Sequence, residues 1–157
     1  MALFPNRQVA NLRAIVQMVE EVIAGLNLSP EENRLPTESG APAWGLMKGS
    51  AQVFVFINPG SADEDFNSIQ VISPVLKLPE SSAHQLALLR QLLELNVREL
   101  EGAAFGIKDN TVVLLVDRST EDLDPSEVKA MILKVGHYAD LYDDTLVRQF
   151  GGKRHVD

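Results

Sequence analysis

The stretch from Ser82 to Leu100, SAHQLALLRQLLELNVREL, constrains the fold more than any other part of the chain. At 100° per residue its apolar residues form two stripes on nearly opposite sides of one helix. The first stripe holds Leu86, Leu89, Leu93, Val97 and Leu100, and the second holds Leu88, Leu92 and Leu95. A surface helix needs only one apolar stripe, so two stripes predict burial from two directions. We expect one stripe to pack on a sheet. The other would contact another helix of the same chain or the same helix of a second copy.

The length and composition are those of an ordinary globular chain with an acidic balance. The 157 residues fit one domain, and a single domain over residues 1–157 is predicted. The formal net charge is −8, and much of the acidity lies between residues 117 and 144. Such a surface repels phosphate backbones, so no nucleic-acid partner is expected, and its natural complement is a basic protein surface. The alternative is a solvated face that keeps the chain soluble.

The sequence also indicates the cellular compartment of the protein. Cysteine is absent, which excludes disulfides, thiolate zinc sites and cysteine nucleophiles. The N-terminus lacks a signal pattern, and no apolar run approaches the ~20 residues that span a bilayer. A cytoplasmic protein without a membrane partner is therefore predicted.

Hydrophobic periodicity predicts three helices and five strands in the order α-β-β-β-α-β-β-α. The predicted helices span residues 5–27, 82–100 and 125–150, and the strands lie within 43–58, 69–78 and 103–117. Short turns or single helices join consecutive strands, which favours one antiparallel five-stranded sheet with the helices packed against it. The predicted fold class is α+β. Residues 28–42 are predicted to form a flexible connector, and residues 151–157 a frayed tail.

Local chemistry adds several expectations. Asn6 is a plausible N-cap for the first helix, and Ser82 with Gln85 is predicted to form a capping box for the middle helix. Pro74 cannot donate to a ladder, so the third strand is expected to be an edge strand or to be bulged there. Trp44 is the only tryptophan; it could anchor a binding surface, but we expect it in the core.

No pattern in the sequence indicates an active site, a cofactor or a metal. The three histidines, His84, His137 and His155, lie far apart along the chain. His137 and Asp140 are one helical turn apart, but a third ligand is not apparent, and a closed zinc site needs four. Neither a nucleophile elbow nor a glycine-rich phosphate loop is present. No catalytic residue, cofactor or metal ligand is therefore predicted.

The element order, the acidic cysteine-free chain and the double-striped helix resemble the type III secretion chaperone-like fold. Within that fold the chain is most similar to the YbjN-like proteins of bacteria. The segments AWGLMKGSAQVFVFINP and IQVISPVLKLP, followed by the leucine-rich helix, carry the resemblance, which covers residues 8–150. It implies an α/β sandwich-like domain that often forms homodimers. Secretion chaperones of this fold hold segments of client proteins, and YbjN-like proteins are linked to regulation or stress rather than to a known reaction.

Three functions are compatible with these observations. The first is a non-enzymatic adaptor or chaperone-like protein, with a protein partner or a second copy bound through Leu88, Leu92 and Leu95. The second is a sensor that binds a small ligand in a groove between the sheet and a helix. The third is an enzyme whose site is assembled from dispersed residues. A cluster of His84 or His137 with carboxylates in one deep pocket would support the enzyme.

Overall fold

The computed structural model describes residues 7–155 and shows three helices and six strands. In chain order the elements are α1 (Arg7–Gly25), β1 (Ala43–Lys48), β2 (Ala51–Asn58), β3 (Ser68–Lys77), α2 (Ser82–Arg98), β4 (Ala104–Lys108), β5 (Thr111–Ser119), α3 (Pro125–Phe150) and β6 (Lys153–Arg154). The strands form one antiparallel sheet in the order β1-β2-β3-β5-β4, with β6 paired to β3. The predicted α+β class and the order of the first eight elements are confirmed. The N-cap prediction for Asn6 lies outside the described residues.

Two tight turns join the hairpins where the sequence predicted them. Gly49 follows β1 with φ +60°, and Asp109 and Asn110 join β4 to β5 with φ of 48° and 65°. Two consecutive residues at positive φ are typical of a turn whose twist matches the flanking strands. The β4–β5 ladder closes directly on this turn, with Lys108 opposite Thr111.

The sheet has a sixth strand, β6, which the sequence did not predict. It lies in the segment predicted to be frayed, and it pairs Arg154 with Leu76 and Lys153 with Lys77. The backbone N–H of His155 adds a hydrogen bond of 3.1 Å to the carbonyl of Val75. Two residues are too few for hydrophobic periodicity to reveal a strand.

The position of β3 corrects the prediction made from Pro74. β3 is not an edge strand, because it lies between β2 and β5. β6 takes up pairing with β3 two residues after Pro74, at Leu76 and Lys77. A proline, which has no N–H to donate, is tolerated beside such a change of partner. The alternative of a bulge at Pro74 stays a prediction.

The chain divides into two compact units. The first comprises the chain up to residue 46 with residues 54–71 and 117–132, and the second comprises residues 47–53, 72–116 and 133 onward. The prediction of one domain over the whole chain stays a prediction. Among the described residues, no helix is long and apolar enough to cross a membrane.

The first unit is built around Trp44 and the inner face of α1. Trp44 is fully buried, which confirms the prediction that it belongs to the core. The guanidinium of Arg34 lies 4.6 Å from the centre of its ring. Backbone hydrogen bonds of 2.9 Å run from Leu35 to Ala43 and from Gly45 to Asn33. Residues 33–35, in the predicted connector, therefore pair with β1.

A polar network in the first unit joins α1, the loop before β3 and the residue after β5. The side-chain oxygen of Asn11 accepts hydrogen bonds from the backbone N–H of Asn67 (3.2 Å), the amide of Asn67 (2.8 Å) and the hydroxyl of Thr120 (2.7 Å). Asn67 and Thr120 are buried. Buried polar groups need such partners, so this network fixes the loop against α1.

The core of the second unit lies beneath α2 and α3. It includes buried apolar side chains from β3, α2, β4, β5 and α3: Val75, Leu76, Leu88, Leu92, Leu95, Phe105, Val112, Leu114, Ala139, Tyr142 and Leu146. The rings of Phe105 and Tyr142 meet edge to face, with centroids 5.6 Å apart. This core fixes which side of α2 faces inward.

Candidate functional site

The N-terminus of α2 is capped by Ser81. Its hydroxyl accepts a hydrogen bond from the backbone N–H of His84 at 3.5 Å, and its carbonyl accepts one from the N–H of Gln85. The side chain of Gln85 donates to the carbonyl of Pro79 at 2.6 Å. The predicted capping box on Ser82 is therefore wrong by one residue, because Gln85 turns towards the preceding loop.

The turn after α2 is held by one face of α3. Lys134, Tyr138 and Tyr142 are spaced four residues apart, which places them on one side of the helix. The ammonium of Lys134 donates to the carbonyl of Glu101 at 2.5 Å, and the hydroxyl of Tyr138 donates to the carbonyl of Glu99 at 3.1 Å. The hydroxyl of Tyr142 donates to the carboxylate of Glu99. These contacts fix the end of α2.

Asn96 attaches α2 to the edge strand β4. Its amide nitrogen donates to the carbonyl of Phe105 at 3.2 Å, and its side-chain oxygen accepts the N–H of Phe105 at 2.7 Å. Both backbone groups of Phe105 on the open edge are thus satisfied by a side chain instead of a strand. The sequence did not predict this contact. The one sign of it in the sequence is that Asn96 is a polar residue between the two apolar stripes.

The second stripe of α2 is buried, whereas the first stripe is largely exposed, except that Leu89 is half-buried and Leu100 is buried. Leu88, Leu92 and Leu95 are 0%, 4% and 6% exposed, whereas Leu86, Leu93 and Val97 are 72%, 67% and 86% exposed. The sequence placed the partner contact on Leu88, Leu92 and Leu95, and that assignment stays a prediction. Those three side chains lie in the chain's own core and leave no free surface. The unpaired apolar surface is on the other side of the helix.

This exposed side, which we call the α2 face, is a shallow groove of about 510 Å³. It is lined by Leu86, Leu89, Arg90, Leu93, Glu94, Val97 and Arg98. Arg90 and Glu94 form an ion pair of 3.2 Å at its border. The apolar positions span about 16 Å along the helix, at 1.5 Å per residue. Ile107 of the edge strand is also exposed. Exposed apolar patches with polar rims are typical of protein contact sites.

Several titratable side chains lie outside the α2 face. His84, His137 and His155 are all exposed, and no group of three or more metal-ligating side chains forms within residues 7–155. Asp140 accepts hydrogen bonds from the backbone N–H and the hydroxyl of Ser50, at 2.9 and 2.8 Å. These bonds lower the pKa of Asp140 by stabilising its carboxylate.

The contact between Tyr142 and Glu99 makes stability depend on alkaline pH. Burial, followed by the hydrogen bond to the Glu99 carboxylate, raises the pKa of Tyr142 from 10.0 to about 12. A pKa raised in the folded state adds stability that is complete below pH 10 and is lost as the pH approaches 12. We expect the free energy of unfolding to fall more steeply over that range in the wild type than in Tyr142→Phe. Urea denaturation at several pH values measures both slopes, and parallel curves would contradict the assignment.

One family model matches most of the chain. The profile of the TY-Chap1 family, described as "T3SS (YopN, CesT) and YbjN peptide-binding chaperone 1", matches residues 14–157. No curated protein matches by sequence.

Solved structures share the fold at low identity. The ExsC–ExsE complex is similar with a TM-score of 0.56 and 14% identity, over 85% of this chain and 94% of that chain. The HopA1–SchA chaperone–effector complex gives 0.57 and 14%, over 87% and 98%. The heterodimeric ExoU–SpcU complex from the type III secretion system of Pseudomonas aeruginosa gives 0.55 and 15%, over 83% and 96%.

Proposed function

Because the chain belongs to the TY-Chap1 family of type III secretion and YbjN peptide-binding chaperones, we propose that it is a non-enzymatic adaptor that holds a peptide segment of a client protein. Three structures that share its fold are complexes of two proteins: ExsC with ExsE, SchA with HopA1 and SpcU with ExoU. The proposal includes a cytoplasmic location, which the lack of cysteine fits. It also includes a regulatory or stress-linked role, as in YbjN-like proteins.

The family match carries the peptide-binding part of the proposal, and the exposed α2 face supports its second part, self-association. A leucine or valine side chain gains about 1.5–3 kcal/mol from full burial. The face exposes Leu86, Leu93 and Val97, so it gains most from a partner that is itself apolar. Asn96 and the turn at Glu99 hold the helix in place. The face is therefore presented without prior rearrangement, which lowers the entropic cost of binding.

The partner assigned to the α2 face is a second copy of the chain. The apolar positions 86, 89, 93 and 97 are spaced three, four and four residues apart, which keeps them on one side of the helix, where a second helix could pack alongside. A two-fold dimer places the same patch on both sides of the contact, so one apolar stripe is its own complement. The dimer would leave the rest of the surface free for a client.

Light scattering tests the dimer. Leu93→Glu places a charge in the middle of the α2 face and is expected to convert the dimer to a monomer, because each dimer would bury two unpaired carboxylates. A contact of about three helical turns is small, so the wild-type mass should rise with concentration. Leu141→Glu, at an exposed position on α3, is the matched control and should keep the wild-type mass. A wild-type mass that stays monomeric at every concentration would contradict the dimer.

Affinity capture from native lysate tests the adaptor function itself. Full-length protein and the Leu93→Glu variant serve as baits, and bound proteins are identified by mass spectrometry. A stoichiometric partner retained by both baits supports a client site outside the α2 face. A partner lost only with Leu93→Glu would place the client on that face. Recovery of nothing except the bait would contradict the adaptor.

A further inference from the structure

The edge of β3 beyond Pro74 is occupied by the chain's own tail. β6 pairs with β3 at Leu76 and Lys77, and His155 donates its backbone N–H to Val75 at 3.1 Å. These bonds use only backbone atoms of the tail, so any extended segment could form them. The structure thus contains a short strand-binding site on β3, together with an example of what fits it.

The tail is joined to α3 by an ion pair between Arg154 and Asp144 at 3.3 Å. Lys153 and His155 are exposed. Gly151 and Gly152 precede the strand with φ of 78° and 92°, a conformation natural to glycine. The two glycines therefore provide a hinge between α3 and the tail.

Acidic side chains of α3 face the central residue of the tail. Arg154 is paired with Asp144 and lines the same small cavity as Asp143 and His155. Asp143 is buried, and its carboxylate lies 2.9 Å from the hydroxyl oxygen of Ser50, whose single proton it shares with Asp140. A basic residue in a docked peptide would meet the same two carboxylates, and an acidic residue would be repelled.

The strand-binding site continues into a cleft of about 540 Å³. The cleft is bordered by Lys77, Leu78, Pro79, His84, Gly151 and Gly152. The cleft lies next to Gly151 and Gly152, so the residues of a client peptide that precede its paired strand would lie in it. A peptide longer than the tail's own strand therefore has room to extend.

From these observations we propose that the β3 edge at Val75–Lys77 binds an extended client peptide with a basic central residue. The tail occupies the same edge in the absence of a client and competes with the peptide for it. A client strand replaces β6, forms the same backbone bonds and places its basic side chain beside Asp143 and Asp144. This proposal rests on the proposed peptide-binding function. It specifies where the peptide binds and that its central residue is basic. It does not depend on the α2 face.

Fluorescence anisotropy with the tail's own sequence tests the site. The probe is a labelled synthetic peptide, GGKRHVD, added to full-length protein. In Gly152→Val, a new Cβ would lie 2.6 Å from the carbonyl oxygen of Lys77, and the side chain would also oppose the positive φ. The variant should release the tail, remove an intramolecular competitor and bind the peptide about tenfold tighter than the wild type. Gly25→Val is the matched control, because a Cβ at Gly25 meets nothing within 4 Å.

Two altered peptides separate strand pairing from charge. Proline in place of His155 removes the N–H that bonds Val75, and alanine in place of Arg154 removes the pair with Asp144. Both should bind Gly152→Val at least about tenfold more weakly than the parent peptide. Equal binding of all three peptides, or no gain in Gly152→Val over the wild type, would overturn the proposal.

A chain that ends at Gly152 provides a second route if Gly152→Val does not fold. It should show the same gain in peptide affinity. If neither variant folds, the tail is an integral strand and the proposal is wrong. Failure of peptide binding would leave the light-scattering and affinity-capture results unchanged, so the two proposals fail separately.

Discussion

Leu92→Ala is expected to lower the free energy of unfolding by about 2–5 kcal/mol, whereas its neighbour Leu93→Ala should change it by less than about 0.5 kcal/mol. The two residues are adjacent and chemically identical, so helix propensity and side-chain entropy cancel in the comparison. Only their surroundings differ: Leu92 is 4% exposed and packed in the core, while Leu93 is 67% exposed. Truncation of Leu92 leaves a cavity, and truncation of Leu93 does not.

Urea denaturation of both variants measures this difference. The experiment requires dilute protein, because self-association stabilises the folded state by mass action and would add to the apparent cost of Leu93→Ala. Leu88→Ala and Leu86→Ala form a second pair of the same kind, with 0% and 72% exposure. An equal loss of stability for Leu92→Ala and Leu93→Ala in dilute solution would show that both stripes are buried within one chain.

Trp44→Ala is expected to cost about 3–5 kcal/mol, the range for removing a large aromatic side chain from a core. Trp44 is fully buried in the first unit, with Arg34 over its ring. Trp44→Phe should cost much less. Among the described residues, none accepts a hydrogen bond from the indole nitrogen of Trp44, so phenylalanine loses volume but no polar contact.

Circular dichroism during thermal unfolding is a suitable measurement, because these variants lack the only tryptophan and its fluorescence. Arg34→Ala is a useful companion variant, since it removes the stacked guanidinium and leaves the indole buried. Equal losses for Trp44→Phe and Trp44→Ala would mean that the indole nitrogen makes a stabilising bond in solution.

The features that sequence predicted well depend on neighbours along the chain. The α2 stripes follow from helix geometry alone, and the Asp109-Asn110 turn follows from the residues that tolerate positive φ. The hairpins and the order of the first eight elements need only such local signals. The fold class then follows, because short connections restrict the arrangement of the strands.

The features that sequence missed depend on residues distant along the chain. Which α2 stripe lies inside is decided by Phe105, Tyr142 and the Asn96 contact, and none of these appears in the periodicity of the helix. The pairing of Lys153 with Lys77 spans most of the second half of the sequence. A helical wheel treats the two faces as equivalent, so it could not tell which stripe of α2 is buried and which is exposed.

The hydrogen bonds of Asn96 also bear on solubility. An open strand edge can recruit strands from other molecules and start aggregation. In this chain, Asn96 covers Phe105 on β4, residues 33–35 cover part of β1, and the tail covers the end of β3. Each of these three contacts satisfies backbone groups of a strand and leaves the apolar side chains nearby unchanged. Exposed apolar side chains such as Leu93 therefore need not lead to the growth of a sheet between molecules.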